Sequence, residues 1–289
     1  MVHIGLFCNV RRVRMDSRMI LKEIRYNVNQ IFVRCRIIFI LVKRVIFSKK
    51  RNQKSSYEEY DNYWRDFWQK KDYLREDLPI TYNKSFVTMS PLDFKKQTII
   101  KIVSDIIEKY NIKSVLEVGA GAGLNLVYLS SKYNDVKFYG IEPTKSGVDV
   151  AHDFIKNSPS ELLINGNKCN ANNIYIKKGS ILNTADLEEY NEMAVDLVFT
   201  NAVLEQLHND IDQVFDNMFK INTKYYLLNE EWLDGNSDAD NYRTLVKSDY
   251  FRIPWSYINK YKNVKCIELF YPLLQPSWFT YTALFLKRI

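Results

Sequence analysis

The sequence predicts an α/β fold: a doubly wound, seven-stranded, mostly parallel sheet ending in an antiparallel hairpin, preceded by an N-terminal helical extension. Three observations predict it. From Ser114 onward, short apolar runs alternate with amphipathic stretches, as strands alternate with crossover helices. A glycine-rich turn, Gly119-Ala120-Gly121-Ala122-Gly123, follows the first of these runs and opens a helical pattern. The last two runs are separated only by a Pro-bearing loop, too little for a crossover helix, so they pair antiparallel.

In chain order, the first element is a basic leader. Residues 1–54 hold fourteen Lys/Arg against two acids, a net +12, while residues 55–289 hold 27 against 32, a net −5. The formal charge of +7 is therefore a mildly acidic body with a basic arm. Its longest apolar run, Ile37–Val42, is far short of the ~18–20 residues that a membrane span needs. At about 100° per residue, Ile31, Phe32, Cys35, Ile38, Phe39, Val42, Val45 and Ile46 share one face, with Arg36, Lys43 and Arg44 opposite and Arg34 at an edge. Such a helix at residues 31–47 either lies on an anionic membrane surface or packs on the body with its basic groups snorkelling outward. Met15 and Met19 are alternative starts. Residues 49–56 read as a polar linker.

Residues 55–94 read as a helical cap or linker. The aromatics Tyr60, Tyr63, Trp64, Phe67 and Trp68 have helical spacing and either pack on the body or form a lid. The body is then residues 95–289. Lys95–Tyr110 reads as one amphipathic helix. Strands are predicted at 115–118, 137–141, 174–178, 196–200, 225–229, 264–270 and 279–287, with helices after Gly123, Lys145, Asp210 and Asp240. In such sheets ligands sit beyond the carboxyl ends of the strands, so the loops after each strand carry the site.

The glycine loop reads Glu117-Val118-Gly119-Ala120-Gly121-Ala122-Gly123. The dinucleotide fingerprint would put a third glycine at 124, which is Leu124, and no Gly-Lys-Ser/Thr of a phosphate loop follows. VLEVGAGAG instead resembles the first motif of the class I methyltransferases that use S-adenosylmethionine (SAM). Other positions agree in order. Glu142, in YGIEP with Pro143, lies nineteen residues past Gly123 and matches the acid that holds both ribose hydroxyls in that family. Ser180-Ile181 stands where the family often has an Asp and an apolar residue beside adenine, so Ser180 replaces the acid. Asp196–Asn201 is similar to the fourth-strand motif, which implies that Thr200 and Asn201 line the methionine end. The resemblance covers about residues 95–289. It implies a Rossmann-like methyltransferase fold, SAM as cofactor, and Glu117, Gly119, Ala120, Gly121, Gly123, Glu142, Pro143, Ser180, Ile181, Thr200 and Asn201 as its binding residues.

Methyl transfer is a direct displacement, helped mainly by alignment. An alcohol acceptor also needs a base. Val203-Leu204-Glu205-Gln206-Leu207-His208 resembles the Val-Leu-Glu-His stretch of small-molecule and quinone methyltransferases, with Gln206 at the histidine position and His208 two residues on. His208 is the candidate base, and Glu205 its rival; a capping or surface histidine is the plain alternative. Glu230, Glu231 and Trp232 follow the fifth strand, where acids could bind acceptor hydroxyls. Tyr250, Arg252, Trp255, Tyr257, Gln275, Trp278 and Tyr281 could stack on or bind a sugar, or simply pack.

No metal is expected: histidines 3, 152 and 208 are isolated, and cysteines 8, 35, 169 and 266 form no clustered spacing. Scattered cysteines fit a reducing cytoplasm, with the leader at the inner membrane face. Nucleic acid is not expected as a partner. The −5 body would repel phosphates, and Thr200-Asn201-Ala202-Val203 lacks the Asp/Asn-Pro-Pro-Tyr/Phe of base methylases. The sequence therefore points to O-methylation of a sugar, a surface-glycan or a glycolipid precursor in polysaccharide biosynthesis. The alternatives are a quinone or lipid methyltransferase, or a SAM-binding protein without catalysis.

Overall fold

The structure, a computed structural model, describes residues 78–82, 85–157, 170–237, 253–277 and 279–289, and positions 61, 62, 65, 241, 242, 244, 245 and 250. The basic leader, with its expected amphipathic face at 31–47, lies outside the described residues. So do most of the aromatic stretch 57–71, most of the pattern after Asp240, Arg252 and Trp278.

Seven strands form the main sheet in the order β5-β4-β3-β6-β7-β10-β8. They are β3 (Ser114–Val118), β4 (Lys137–Glu142), β5 (Ile174–Lys178), β6 (Leu197–Asn201), β7 (Tyr225–Glu230), β8 (Val264–Phe270) and β10 (Thr282–Arg288). β3 to β7 pair in parallel, and β10 enters antiparallel between β7 and β8. The predicted sheet and its terminal antiparallel pair are thus present. The central strands read as continuous apolar runs because both of their faces are covered. Val115, Leu197 and Phe199 pack with Ile99, Ile106, Leu126 and Phe154 on one face. Leu116, Val118 and Val198 pack with Val214, Phe215 and Met218 on the other.

The crossover helices lie where the periodicity puts them. α2 (Ile99–Tyr110) buries Ile99, Ile102, Val103, Ile106 and Ile107 and ends at Asn111 in the left-handed conformation, whose N–H bonds the Ile107 carbonyl. α3 (Leu124–Lys132), α4 (Lys145–Asn157) and α6 (Ile211–Met218) follow the glycine loop, β4 and β6. A short α5 (Glu188–Met193), not marked in the sequence reading, precedes β6.

Two elements differ from expectation. The single helix predicted from Lys95 is two: α1 (Pro91–Gln97), capped by the Ser90 side chain on the Asp93 N–H, and α2. The break is at Thr98, whose hydroxyl donates back to the Phe94 carbonyl at 2.7 Å. Within the stretch expected to be a helical cap or linker, β1 (Leu78–Tyr82) and β2 (Ser85–Met89) form a hairpin. With β9 (Leu274–Pro276) they make a small antiparallel sheet, β2-β1-β9. Its Ile80 is fully buried, while Phe86 is 76 % exposed and Leu273, next to β9, is 74 % exposed.

Candidate functional site

The sheet order reverses between β3 and β6, so the crevice opens at the carboxyl ends of these two strands. The glycine loop occupies that point. Gly119, Gly121 and Gly123 have φ of 74°, 53° and 71°, a region that side chains disfavour. The N–H groups of Gly119 and Ala120 both donate to the Ile141 carbonyl, at 2.9 and 3.0 Å, which ties the loop to β4. A Cβ on Gly119 would overlap the methyls of Val203, and one on Gly123 would lie 2.6 Å from the Ile176 Cδ1. The loop is therefore wedged between the turn after β6 and the middle of β5.

Glu142 ends β4 with its carboxylate under this loop. One oxygen accepts from the Gly121 N–H at 2.9 Å; the other accepts from the Thr144 N–H at 3.0 Å and the Thr144 hydroxyl at 2.5 Å. A carboxylate has about four lone-pair sites, so three are used, and the hydroxyl is the partner that can rotate away. Two sites then remain for a diol. Burial pushes the Glu142 carboxyl above its usual range against those hydrogen bonds, and nearby Asp61 pushes the same way.

Asp61 comes from the segment before the domain. Its carboxylate accepts from the Ser146 N–H in the first turn of α4 at 2.9 Å, and Arg65 bonds its other oxygen at 3.0 Å. Burial opposes ionisation of Asp61, but Ser146 and Arg65 outweigh it and hold the carboxyl below the usual range. This puts Asp61 beside Glu142 and the first turn of α4, a contact that no sequence pattern signals.

At the other end of the loop, Glu117 is buried, with one oxygen accepting from the Asn125 amide at 2.6 Å and the other unpartnered. Burial pushes its carboxyl up, while Lys95 on α1 pulls it down. Burial likewise lowers the Lys95 ammonium, which Glu117 offsets. A cation beside an orphaned carboxylate at the end of the loop could complement an α-amino acid, which carries one charge of each sign. Lys95 was read from the sequence only as the start of a helix. Its role depends on an electrostatic partner in another element.

After β5, the Ser180 N–H donates to the Asp186 carboxylate at 2.8 Å. The acid missing at position 180 is thus supplied to the turn six residues later. Ile181 beside it is buried.

The loops after β6 and β7 interlock. Asn201 accepts from the Asn229 amide at 2.8 Å, and the Ala202 N–H donates to the Asn229 carbonyl at 3.0 Å. Ala202 has φ 57°. One Glu230 oxygen accepts from both the Val203 and Leu204 N–H groups at 3.0 Å, capping the 3₁₀ turn Leu204–Leu207. Glu205 in that turn faces Glu230, and both are fully buried. Burial and the adjacent Glu230 and Glu231 drive the Glu205 carboxyl far up. Glu231 is also raised, by burial, and bonds Tyr281. His208 ends the same turn, half-buried. The structure thus brings Thr200, Asn201, Glu205, His208, Glu230, Glu231 and Tyr281 to one edge of the sheet. Among the described residues, no group of three or more His, Cys, Asp or Glu could hold a metal ion.

A separate cavity of about 590 Å³ runs along β5, lined by Tyr139, His152, Tyr175, Lys177 and Tyr190 among others. It shares no lining residue with the glycine loop or Glu142.

Residues 116–224 match the family model described as a methyltransferase domain. No curated protein matches the sequence. Magnesium protoporphyrin IX methyltransferase from Synechocystis PCC 6803 with bound SAM superposes with a TM-score of 0.56 at 10% identity, over 84% of this chain and 100% of that one. The same enzyme with bound SAH gives 0.55 at 12%, over 82% and 100%. A putative caffeoyl-CoA O-methyltransferase from Staphylococcus aureus gives 0.48 at 16%, over 90% and 99%. At these identities the likeness is one of fold. A positive-φ glycine cradle, a carboxylate beneath it and an orphaned acid at its far end fit SAM. With the domain match laid across them, residues 116–224 are a methyltransferase domain set in a methyltransferase-like fold.

Proposed function

We propose that the chain O-methylates a small polar acceptor, a sugar or surface-glycan precursor. The observation that carries this reading is the acid- and hydroxyl-rich edge at β6 and β7, where Glu231 and Tyr281 stand beside the His208 loop. Such groups can bind the hydroxyls of a polyol. When bound, SAM supplies an electrophilic methyl on a sulfonium. The glycine loop, Glu117 and Glu142 hold and orient that methyl, and buried walls exclude water. His208 would act as base and take the proton of the acceptor hydroxyl, so that the oxygen can accept the methyl that bound SAM would supply. Thr200, Asn201, Ser180 and Ile181 complete the cofactor crevice.

The basic leader would bring residues 31–47 to an anionic membrane carrying glycolipid precursors. No helix among the described residues is long and apolar enough to cross a membrane. Exposed Phe86 and Leu273 favour a second reading, a lipid or quinone acceptor. Label from SAM should pass to nucleotide sugars or glycolipids, and transfer to quinones alone would refute the sugar reading. In the same assay, a chain lacking residues 1–54 should keep cofactor binding and lose sedimentation with anionic vesicles.

Within this reading, Lys95→Met should weaken SAM by about ten- to a hundredfold, the worth of one hydrogen bond to a charged group. Binding of methylthioadenosine, which lacks the amino-acid end, should be unchanged by titration calorimetry. Equal losses for both ligands would place Lys95 elsewhere.

A further inference from the structure

The carboxyl pair behind the β6 loop has no part in the steps above, yet it sits where it can govern them. The turn that follows β6 leaves the strand at Ala202, a non-glycine residue with φ 57°. That conformation disfavours a side chain and persists only where surroundings hold it. The holding groups come from β7. The Asn229 carbonyl takes the Ala202 N–H, and a single Glu230 oxygen takes the next two N–H groups, Val203 and Leu204, each at 3.0 Å. Held this way, Val203 places its methyls in the space that a Cβ on Gly119 would need. The turn is thus the wall against which the cofactor loop rests.

Glu230 is wholly buried and Glu205 is 1 % exposed. Two carboxylates cannot both stay ionised in contact at that depth, so the pair retains one proton. Glu205 is the donor of the pair, because Glu230 already accepts two backbone N–H bonds that favour its charged form. The other titratable groups facing them are Glu231 after β7 and Tyr281 before β10; Thr200 on β6 adds a hydroxyl. His208 closes the same turn.

We propose that Glu230 and Glu205 are positioning residues for the methyl transfer: one shared proton locks the Ala202–Glu205 turn onto the glycine loop and so sets cofactor affinity. Neither touches the reacting atoms. Loss of the proton at alkaline pH puts two charges in one buried space. The pair separates, the cap on Val203 and Leu204 is released, and the wall behind Gly119 loosens. This is independent of which acceptor is methylated.

The test is SAM affinity by titration calorimetry on the full chain from neutral to alkaline pH, with thermal melting at each point. The wild type should bind progressively more weakly as pH rises. Glu205→Gln supplies an amide donor to Glu230 without a titrating proton. Its SAM affinity should stay level from neutral to alkaline pH. Glu117 at the cofactor crevice also titrates upward of its usual range, but it is common to both proteins, so the difference isolates the pair. Glu230→Ala should weaken SAM about tenfold or more at neutral pH. If Glu230→Ala does not fold, the Glu205→Gln comparison decides alone. An alkaline decline in Glu205→Gln equal to that of the wild type would overturn the proposal. So would wild-type affinity in a folded Glu230→Ala.

Discussion

Gly119→Val should leave a folded protein that no longer binds SAM usefully, with kcat/KM down on the order of a hundredfold or more. Two costs add. Gly119 has φ 74°, where a Cβ costs about 1–2 kcal/mol. The new side chain would also meet the Val203 methyls, and overpacking costs about 1–3 kcal/mol. Val203 cannot simply retreat, because Glu230 holds its N–H from behind. The loop is the element that must shift. Its backbone would then leave the tie of Gly119 and Ala120 to Ile141, and the close approach that three glycines allow would be lost. Calorimetry against SAM and a melting curve separate loss of binding from loss of fold. Affinity within a few-fold of the wild type would mean that the cofactor does not rest on this loop.

Glu142→Ala should be as damaging, by a different route. The carboxylate has two tasks. It anchors the Gly121 N–H and Thr144, and in the proposed cofactor site its remaining lone pairs accept from a ribose diol. Hydrogen bonds to a charged group are worth about 1.5–3 kcal/mol each, so losing two to the ligand amounts to at least about a hundredfold in affinity. The pH dependence has a definite sign. Burial, helped by Asp61, raises the carboxyl above the ordinary glutamate value of 4.5. The ionised form is the one that accepts from the diol. Cofactor affinity should thus decline as pH falls through a window above 4.5, and Glu142→Gln should be weak at every pH with no such decline. An unchanged acid limb in Glu142→Gln would assign that titration to another group.

The sheet was legible because its strands are apolar runs and its turns carry glycine. The glycine turn was legible because glycines at alternate positions allow the positive φ that the turn adopts. Glu142 was legible by its place at a strand end. What escaped depends on partners far away in the chain. The β1–β2 hairpin reads as linker because its third strand, β9, lies almost two hundred residues later. Lys95 is an ordinary helical lysine until Glu117 stands opposite. Asp61 becomes a cap only when α4 presents its first turn. Glu205, read as a rival base, lies buried against Glu230, and the acids read as acceptor contacts divide: Glu230 supports a backbone turn, while Glu231 meets Tyr281. Side-chain identity alone cannot separate such uses, since each needs only a carboxylate in the right loop.

The position of β10 has a consequence for the order in which this protein can be made. β10 follows β8 in the chain, yet it lies inside β8 in the sheet, bonded to β7 on one side and β8 on the other. Only residues 271–281 separate β8 from β10, so β8 arrives almost together with the strand that must lie between it and β7. Until Thr282–Arg288 is released, β7 is a bare sheet edge and β8 has no place to dock. The methyl-donor half of the sheet, β3 to β7, can assemble during synthesis. Closure waits for the last strand, and that waiting interval is when the chain most needs protection from other unpaired edges.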